Sequence, residues 1–350
     1  MSRPLTPVAR PALRWRSLLS AGLLGGFYVL PWLRWDGRQA LLFDLPGRRF
    51  DLFGWTLWPE DAIVLFGLIA VLACALVLLT TLAGRVWCGL ACPQTLWSGL
   101  FRWIDDQSRR WLRRPPLATA VKHLAWMAVA LATGITFVGL FTPIHDLVAS
   151  VWTARCSGWD VFWVLFYAAA TWGNAGFLRE QVCIDLCPYA RIAPLLCDQD
   201  TPQVCYDTRR GEPRGPRGRG RGSVQQRGRG LLDPVSASDY AFRAAHPALA
   251  GPLPQFAEDR LGDCLDCGAC VQVCPMQLDV RAGPQPDCIA CGACVDACDA
   301  QMRAWRFPRG LVRVASANAL LGRPARWLRP RVLAALACLL ILFGFGLQQL

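Results

Sequence analysis

One arrangement of cysteines occurs twice in this chain: Cys264-Leu-Asp-Cys267-Gly-Ala-Cys270-Val-Gln-Val-Cys274, and then Cys288-Ile-Ala-Cys291-Gly-Ala-Cys294-Val-Asp-Ala-Cys298. Both stretches read C-x2-C-x2-C-x3-C. In proteins with two [4Fe–4S] clusters, three thiolates of such a run bind one cluster and the fourth binds the other. Ligand set one is therefore predicted to be Cys264, Cys267, Cys270 and Cys298, and ligand set two to be Cys274, Cys288, Cys291 and Cys294.

Zinc and disulfides are the alternatives to iron–sulfur clusters. A structural zinc ion takes four ligands, usually from two separated C-x2-C pairs, which fits a doubled run of four cysteines poorly. Disulfide scaffolds are typical of short secreted chains. The spacing therefore predicts an α+β domain of the two-cluster bacterial ferredoxin type over residues 255–305.

The composition indicates a membrane protein. The chain has 350 residues, of which 54% are hydrophobic, and a formal net charge of +12. Its apolar runs alternate with arginine-rich segments, and a bilayer requires about 20 apolar residues per helix. Five α-helical spans are predicted, near residues 17–33, 62–83, 118–141, 159–178 and 332–347.

Arginine placement predicts the orientation. The N-terminus, the loop 84–117 and the loop 179–331 hold most arginines, and the positive-inside rule places them in the cytoplasm. Arginines in the first outside loop run against this pattern. We expect a multi-pass protein of the bacterial inner membrane, with its N-terminus inside and its ferredoxin domain cytoplasmic.

The predicted organisation has six parts. They are a cytoplasmic N-terminus (1–16), a four-helix membrane unit (17–191), an Arg/Gly-rich linker (192–254), the ferredoxin domain (255–305), a basic linker (306–331) and a final membrane helix (332–350) with no periplasmic domain after it. The Arg/Gly-rich linker is low-complexity sequence. We expect it to attract anionic lipid headgroups rather than nucleic acid.

A second cysteine motif, C-x3-C-P, also occurs twice, as Cys88 to Pro93 and as Cys183 to Pro188. Each copy follows an even-numbered predicted span, which indicates an internal repeat at the cytoplasmic membrane face. Four-residue spacing would place both thiols of a pair on one face of a helix, with the proline at a helix end or kink. We expect Cys88, Cys92, Cys183 and Cys187 to be the reactive thiols, which could bind Cu(I), zinc or another cluster, or exchange electrons.

The remaining metal-binding residue types give weaker signals. Cys74 and Cys338 fall in the middle of predicted spans and are expected to serve packing, whereas Cys156, Cys197 and Cys205 carry no assignment. His123 is expected to be structural or interfacial, with metal ligation as the minority interpretation.

Several stretches resemble the CcoG/FixG/RdxA polyferredoxins, which are cytochrome c oxidase accessory proteins. The resemblance covers nearly the whole chain and rests on Leu42–Pro46, Trp58–Asp61, Trp87–Thr95, Asn174–Phe177, Cys187–Arg191, Tyr206-Asp207, Arg210–Gly215, the ferredoxin cysteines and Pro308–Leu311. It implies cytoplasmic [4Fe–4S] clusters in an inner-membrane protein. It also implies assembly of a cbb-type haem–copper oxidase through reduction of Cu(II) to Cu(I). Family members commonly continue into a periplasmic immunoglobulin-like domain.

These observations predict an oxidoreductase of the cupric reductase type, with copper as substrate or transient ligand. The expected partners are membrane lipid, copper ions, copper-delivery or oxidase-assembly proteins, and an unidentified electron donor. One alternative is a quinol-linked polyferredoxin of an anaerobic respiratory chain. Another is a non-enzymatic metal-delivery or assembly scaffold, whose clusters need not cycle.

Overall fold

The computed structural model describes residues 14–112, 114–153, 155–215, 243, 260–324 and 326–348. Most of the predicted N-terminal segment and of the Arg/Gly-rich linker lies outside these ranges. Helices account for most of the described chain. In order they are α1 (Arg14–Val29), α2 (Ala62–Ala83), α3 (Val86–Leu90), α4 (Pro93–Trp111), α5 (Pro115–Val138), α6 (Ile144–Trp152), α7 (Gly158–Gly173), α8 (Pro188–Leu196), α9 (Thr208–Gly211), α10 (Ala269–Gln272), α11 (Ala293–Ala304), α12 (Ala317–Leu320) and α13 (Pro330–Gln348).

Short strands fill part of the sequence between the helices. They are β1 (Arg34–Trp35), β2 (Arg38–Gln39), β3 (Leu41–Asp44), β4 (Arg49–Leu52), β5 (Trp55–Leu57), β6 (Gln203–Tyr206) and β7 (Val312–Ala315). The first two form an antiparallel hairpin, and β3, β4 and β5 form an antiparallel meander. The first loop predicted outside the membrane is therefore largely ordered as strands.

The membrane prediction is supported in its coarse form. Among the described residues, three helical segments are long and apolar enough to cross a bilayer: Pro59–Ala83, Pro115–Val138 and Gly158–Leu178. The apolar part of the last helix, Pro330–Gly344, is shorter, and α1 has 16 residues. These segments indicate a membrane protein, and the count of five spans stays a prediction.

The chain divides into two compact units, which we describe separately. The cluster unit comprises residues up to Trp15, Leu76–Gly89 and Cys187–Leu336, and the membrane unit comprises Arg16–Ala75, Leu90–Leu186 and Ala337–Leu350. In the membrane unit, Phe101, Trp126, Ala130 and Ala168 form a buried core. Helices α5 and α7 approach closely at Gly134, where a Cβ atom would lie 2.4 Å from the carbonyl oxygen of Val164. A small residue at a helix contact of this kind is common in membrane bundles.

The cluster unit has a core built around the cysteines. Strands β6 and β7 pair antiparallel, with Val204 opposite Val314 and Tyr206 opposite Val312. Their buried side chains pack with Cys264, Cys270, Cys294 and Cys298. Both strands lie in segments predicted as linkers, and the domain boundaries 255–305 stay a prediction. The pairing itself leaves no local signal in the sequence, because more than a hundred residues separate the two strands.

Candidate iron–sulfur site

Ligand set one surrounds a cavity. Its four cysteines, Cys264, Cys267, Cys270 and Cys298, all line one space of about 360 Å³ that is partly open to solvent. Helix α10 carries Cys270 and helix α11 carries Cys298, so the fourth thiol that lines this space comes from the second cysteine run. Within the described residues, no three His, Cys, Asp or Glu side chains are grouped so as to hold a single metal ion.

The buried cysteines also influence one another electrostatically. Burial raises the pKa of Cys294, and the nearby thiols of Cys291, Cys288, Cys270 and Cys274 raise it further, so that neighbours from both ligand sets contribute. Burial raises the pKa of Cys298 to about 12, with further contributions from Cys264, Cys270 and Cys267. Cys298 therefore has the three first-run cysteines of ligand set one as electrostatic neighbours. The division of the eight thiols into two sets, and their binding of iron, stay predictions.

The two cysteine loops have matching backbone shapes. At the third position of each loop the backbone is left-handed, with a φ of 48° at Asp266 and of 53° at Ala290. The glycine two residues later is left-handed too, with a φ of 66° at Gly268 and of 73° at Gly292. Left-handed backbone at a residue other than glycine costs about 1–3 kcal/mol and is concentrated at functional sites. The strain is repeated at equivalent places, so it reflects a shared requirement of the two loops.

Backbone amides point at the sulfur atoms. The amide of Leu278 donates to Sγ of Cys274 at 3.4 Å, and the amide of Ala290 donates to Sγ of Cys288 at 3.4 Å. Hydrogen bonds to sulfur are one way in which proteins tune iron–sulfur clusters. The grouped thiols, the loop shape and these donors all fit two [4Fe–4S] clusters.

A buried polar network lies next to ligand set one. Strand β6 places Tyr206 beside Cys264, and the Tyr206 hydroxyl donates to Oε1 of Glu212 at 2.9 Å. Burial raises the pKa of Glu212, and the neighbouring Arg214 opposes that shift. The sequence carried a signal for this network, because the Tyr206 and Arg210–Gly215 stretches contribute to the family resemblance. The sequence analysis did not predict that these residues pack beside ligand set one.

The structure corrects the prediction for the C-x3-C-P motifs. Cys88 lies in the short helix α3, whereas Cys92 is the N-cap residue of α4, which begins at Pro93. Cys183 lies in a single π-helical turn, Val182–Leu186, and Cys187 is the N-cap residue of α8, which begins at Pro188. The two thiols of a pair therefore do not share one helix face. Proline is favoured at the first position of a helix because its missing N–H is not needed there, so it starts the next helix instead of ending the previous one.

The division into units separates the two cysteines of each motif. Cys88 and Cys187 belong to the cluster unit, whereas Cys92 and Cys183 belong to the membrane unit. Within the membrane unit, Gln94 donates to the backbone carbonyl of Arg179 at 2.9 Å, joining the start of α4 to the turn before the second motif. The matched local structures support the interpretation of the motifs as a repeat. Whether all four thiols meet stays a prediction.

In the cluster unit, the first motif packs against the loop of ligand set two. A Cβ atom added at Gly89 would lie 2.7 Å from the carbonyl oxygen of Ala290, so only glycine fits this approach. Arg85 donates from Nη1 to the carbonyl oxygen of Cys288 at 3.3 Å. Burial raises the pKa of Tyr189, and the nearby Cys88 and Cys197 thiols add to that shift. Cys88 therefore lies in the part of the cluster unit that contains ligand set two.

Most of the other candidate residues belong to the membrane unit, whereas Cys197 lies beside ligand set two. His123 packs among Trp126, Trp172 and Phe177, and its Nδ1 atom is buried without a hydrogen-bond partner among the described residues. The Sγ atoms of Cys74 and Cys338 lie 3.3 Å apart, a pairing between α2 and α13 that the sequence did not predict. Cys197 and Cys288 line a second cavity in the cluster unit, whereas Cys156 lies near Ser150 in the membrane unit.

Comparison with protein families agrees with this site. A 4Fe-4S dicluster domain model matches residues 178–235 and 251–317, and a 4Fe-4S binding domain model matches residues 65–115. The first match includes both ligand sets and both paired strands. The second match includes the first C-x3-C-P motif. No solved structure matches the chain.

Three curated proteins are similar to most of the chain. Protein RdxA of Cereibacter sphaeroides is 36% identical over 89% of this chain, and Protein RdxB of the same organism is 36% identical over 75%. Nitrogen fixation protein FixG of Rhizobium meliloti is 34% identical over 78%. The chain spans 61%, 51% and 49% of the lengths of these relatives, respectively. With the two ligand sets and the two family-model matches, these identities show that the chain belongs to the family that contains RdxA, RdxB and FixG.

Proposed function

We propose that this iron–sulfur electron-transfer protein reduces Cu(II) to Cu(I), and that the product serves the assembly of a cbb-type haem–copper cytochrome c oxidase. The observation that carries the proposal is the close approach of Gly89 to the carbonyl of Ala290. It joins the first C-x3-C-P motif to the loop of ligand set two. Electron transfer to the motif therefore has a short route through packed atoms.

Ligand sets one and two would hold two [4Fe–4S] clusters, each of which stores one electron when bound. One Cu(II) ion takes up one electron and becomes Cu(I), so a fully reduced protein converts two ions. Cys88 is the thiol of the first motif in the cluster unit. Thiolates are soft ligands and prefer Cu(I). A thiol at this position would receive the ion and favour the reduced product.

The helix starts also suit this chemistry. Cys92 and Cys187 occupy the N-cap positions of α4 and α8, and the N-terminus of a helix carries a partial positive charge. An anionic ligand such as a thiolate is favoured there. We place the ligand sets on the cytoplasmic side of the inner membrane, where copper-delivery or oxidase-assembly proteins would exchange metal with the motif thiols.

The experiment uses the full chain, purified without oxygen and reduced with dithionite. After removal of excess reductant, Cu(II) is added in the presence of a Cu(I)-specific chelator, while cluster oxidation is followed by absorbance. We expect two Cu(I) ions per chain to appear with the oxidation of both clusters. The variant with Cys88, Cys92, Cys183 and Cys187 all changed to Ser should retain its iron and lose most of the rate.

Cys156→Ser is the matched control, because it removes a thiol outside both motifs and both ligand sets. Normal Cu(II) reduction by the quadruple variant would show that the motif thiols are not the site. No Cu(I) formation by the reduced wild-type protein would reject copper as the acceptor. Re-oxidation by a quinone under those conditions would favour the quinol-linked alternative.

A further inference from the structure

Arg85 is a buried cation beside ligand set two. The residue is 8% exposed, and its guanidinium donates to the carbonyl oxygens of Cys288 and Ala190. Both partners are uncharged. Among the residues that the structure describes, Arg85 forms no ion pair with a carboxylate. Its positive charge is therefore not cancelled by a paired carboxylate, and it lies beside the loop that carries Cys288.

Ligand set one has the opposite balance of charge. Arg281 lines its cavity but pairs with Asp279 at 2.8 Å and with Asp266 at 2.5 Å. Arg214 pairs with Glu212 and also with Asp266. Three carboxyl groups thus face two guanidinium groups around this cavity. The net charge contributed by these side chains is zero or negative, depending on whether Glu212 is ionised.

Two acidic residues lie near Arg85 or Cys288, and neither forms an ion pair with Arg85 in the described chain. Asp198 lines the same cavity as Arg85 and Cys288, and it pairs with Arg329. Asp287 precedes Cys288 and is exposed to solvent, where ions screen its charge. The charge asymmetry between the two sets therefore remains.

Reduction adds one negative charge to a cluster. A buried positive charge nearby stabilises that state, and the effect is large because the surroundings are poorly polarisable. We infer that Arg85 raises the reduction potential of the cluster held by ligand set two above that of the cluster held by ligand set one. Electrons would then reside mainly on the cluster held by ligand set two, and they would leave the protein from that cluster.

Electron flow from ligand set one to ligand set two agrees with the packing of the first C-x3-C-P motif. Gly89 meets the carbonyl of Ala290, and Ala290 lies between Cys288 and Cys291 of ligand set two. The inferred high-potential cluster is therefore the one whose loop contacts the C-x3-C-P motif. The inference deepens, and rests on, the proposed route of electrons toward that motif, and Arg85 acts in it as a positioning residue.

The test is a redox titration of the full protein with mediators, followed by electron paramagnetic resonance and without copper. Two midpoint potentials are measured, and the variants Cys267→Ser and Cys291→Ser assign one midpoint to each ligand set. In Arg85→Gln, we expect the higher midpoint potential to fall while the lower one stays in place, so that the difference between them becomes smaller. Arg85→Lys keeps the charge and should retain most of that difference.

Arg331→Gln is the matched control. Arg331 also donates to backbone carbonyls, those of Leu195 and Cys197, but it contacts no predicted cluster ligand in the described chain. We expect it to leave both midpoints unchanged. Unchanged midpoints in Arg85→Gln, or an equal shift of both, would overturn the inference.

A second variant tests the inference if Arg85→Gln does not bind iron. Asp279→Asn removes a carboxylate that neutralises Arg281, so it should raise the lower midpoint and leave the higher one in place. A lower midpoint that does not rise would overturn the inference. Copper plays no part in these measurements, so their outcome is independent of whether Cu(II) is the acceptor.

Discussion

Gly89 and Ala290 illustrate how single backbone positions determine the site. A methyl group at Gly89 would meet carbonyl oxygens of Ala290 at 2.7 Å and of Ile289 at 3.1 Å, and backbone atoms cannot rotate away as a flexible side chain can. Overpacking of this kind typically costs about 1–3 kcal/mol. We therefore expect Gly89→Ala to loosen the loop of ligand set two, so that a chelator removes iron from that set faster.

Gly99→Ala is the control for this prediction, because Gly99 is also helical and a Cβ atom there meets nothing within 4 Å. Iron release from each cluster is followed by its own resonance signal. Equal rates of release in the wild type and in Gly89→Ala would show that the contact at Ala290 is looser than the structure indicates.

Cluster loading should depend on pH through the thiols. Burial raises the pKa of Cys270 to about 11 and that of Cys298 to about 12. A thiol binds iron as thiolate, so each of these groups must release a tightly held proton when a cluster assembles. Loading therefore competes with protonation and becomes more favourable as the pH rises toward the raised pKa values. We expect reconstitution of the metal-free protein to increase from pH 6.5 to pH 8.5.

The measurement is the iron content of the protein after anaerobic reconstitution at fixed iron and sulfide concentrations. Proton release into weakly buffered solution provides a second reading of the same process. A yield that is flat or falls over this interval would contradict the raised pKa values.

At the scale of elements, β7 offers a comparison within one strand. Val312 is 1% exposed and packs in the core with the ligand cysteines, whereas Val314, two positions later, is 51% exposed. Burial of a valine side chain contributes about 1.5–3 kcal/mol. Val312→Ala should destabilise the cluster unit by an amount of this order. Val314→Ala should change its stability by less than about 0.5 kcal/mol.

Both valine variants are compared by denaturant-induced loss of the cluster absorbance. Equal effects would mean that Val312 is not buried against the ligand cysteines as the structure has it.

The elements also show which structure the sequence could predict. The division of the eight cysteines into two ligand sets is predicted from spacing alone, because the geometry of a C-x2-C loop is local. The C-x3-C-P motifs were misread as single helices, although Pro93 and Pro188 each start a new one. The pairing of β6 with β7 and the π-helical turn around Cys183 depend on distant contacts, which no local pattern carries.

At the scale of the whole molecule, Cys74 and Cys338 test the arrangement of the helices. Their Sγ atoms lie 3.3 Å apart although 264 residues separate them in sequence. A membrane-permeable oxidant should therefore join α2 to α13 by a disulfide. Trypsin, which can cut in the arginine-rich segment 217–230, should then give two fragments that stay together until they are reduced.

Cys338→Ser should abolish this cross-link, whereas Cys156→Ser should leave it intact. Electrophoresis without reductant separates the two results. Fragments that part in the oxidised wild-type protein would show that the last helix does not pack beside α2 at this position.

The antiparallel pair of β6 and β7 has a further consequence for how the protein is made. During translation, β6 leaves the ribosome more than a hundred residues before its partner. All eight ligand cysteines emerge between the two strands, so the nascent chain exposes them before Leu311 and Val312 can cover ligand set one. Iron and sulfide delivered in this interval reach the cysteines before β7 has paired, whereas later delivery must pass through the partly open cavity that Leu311 and Val312 help to line.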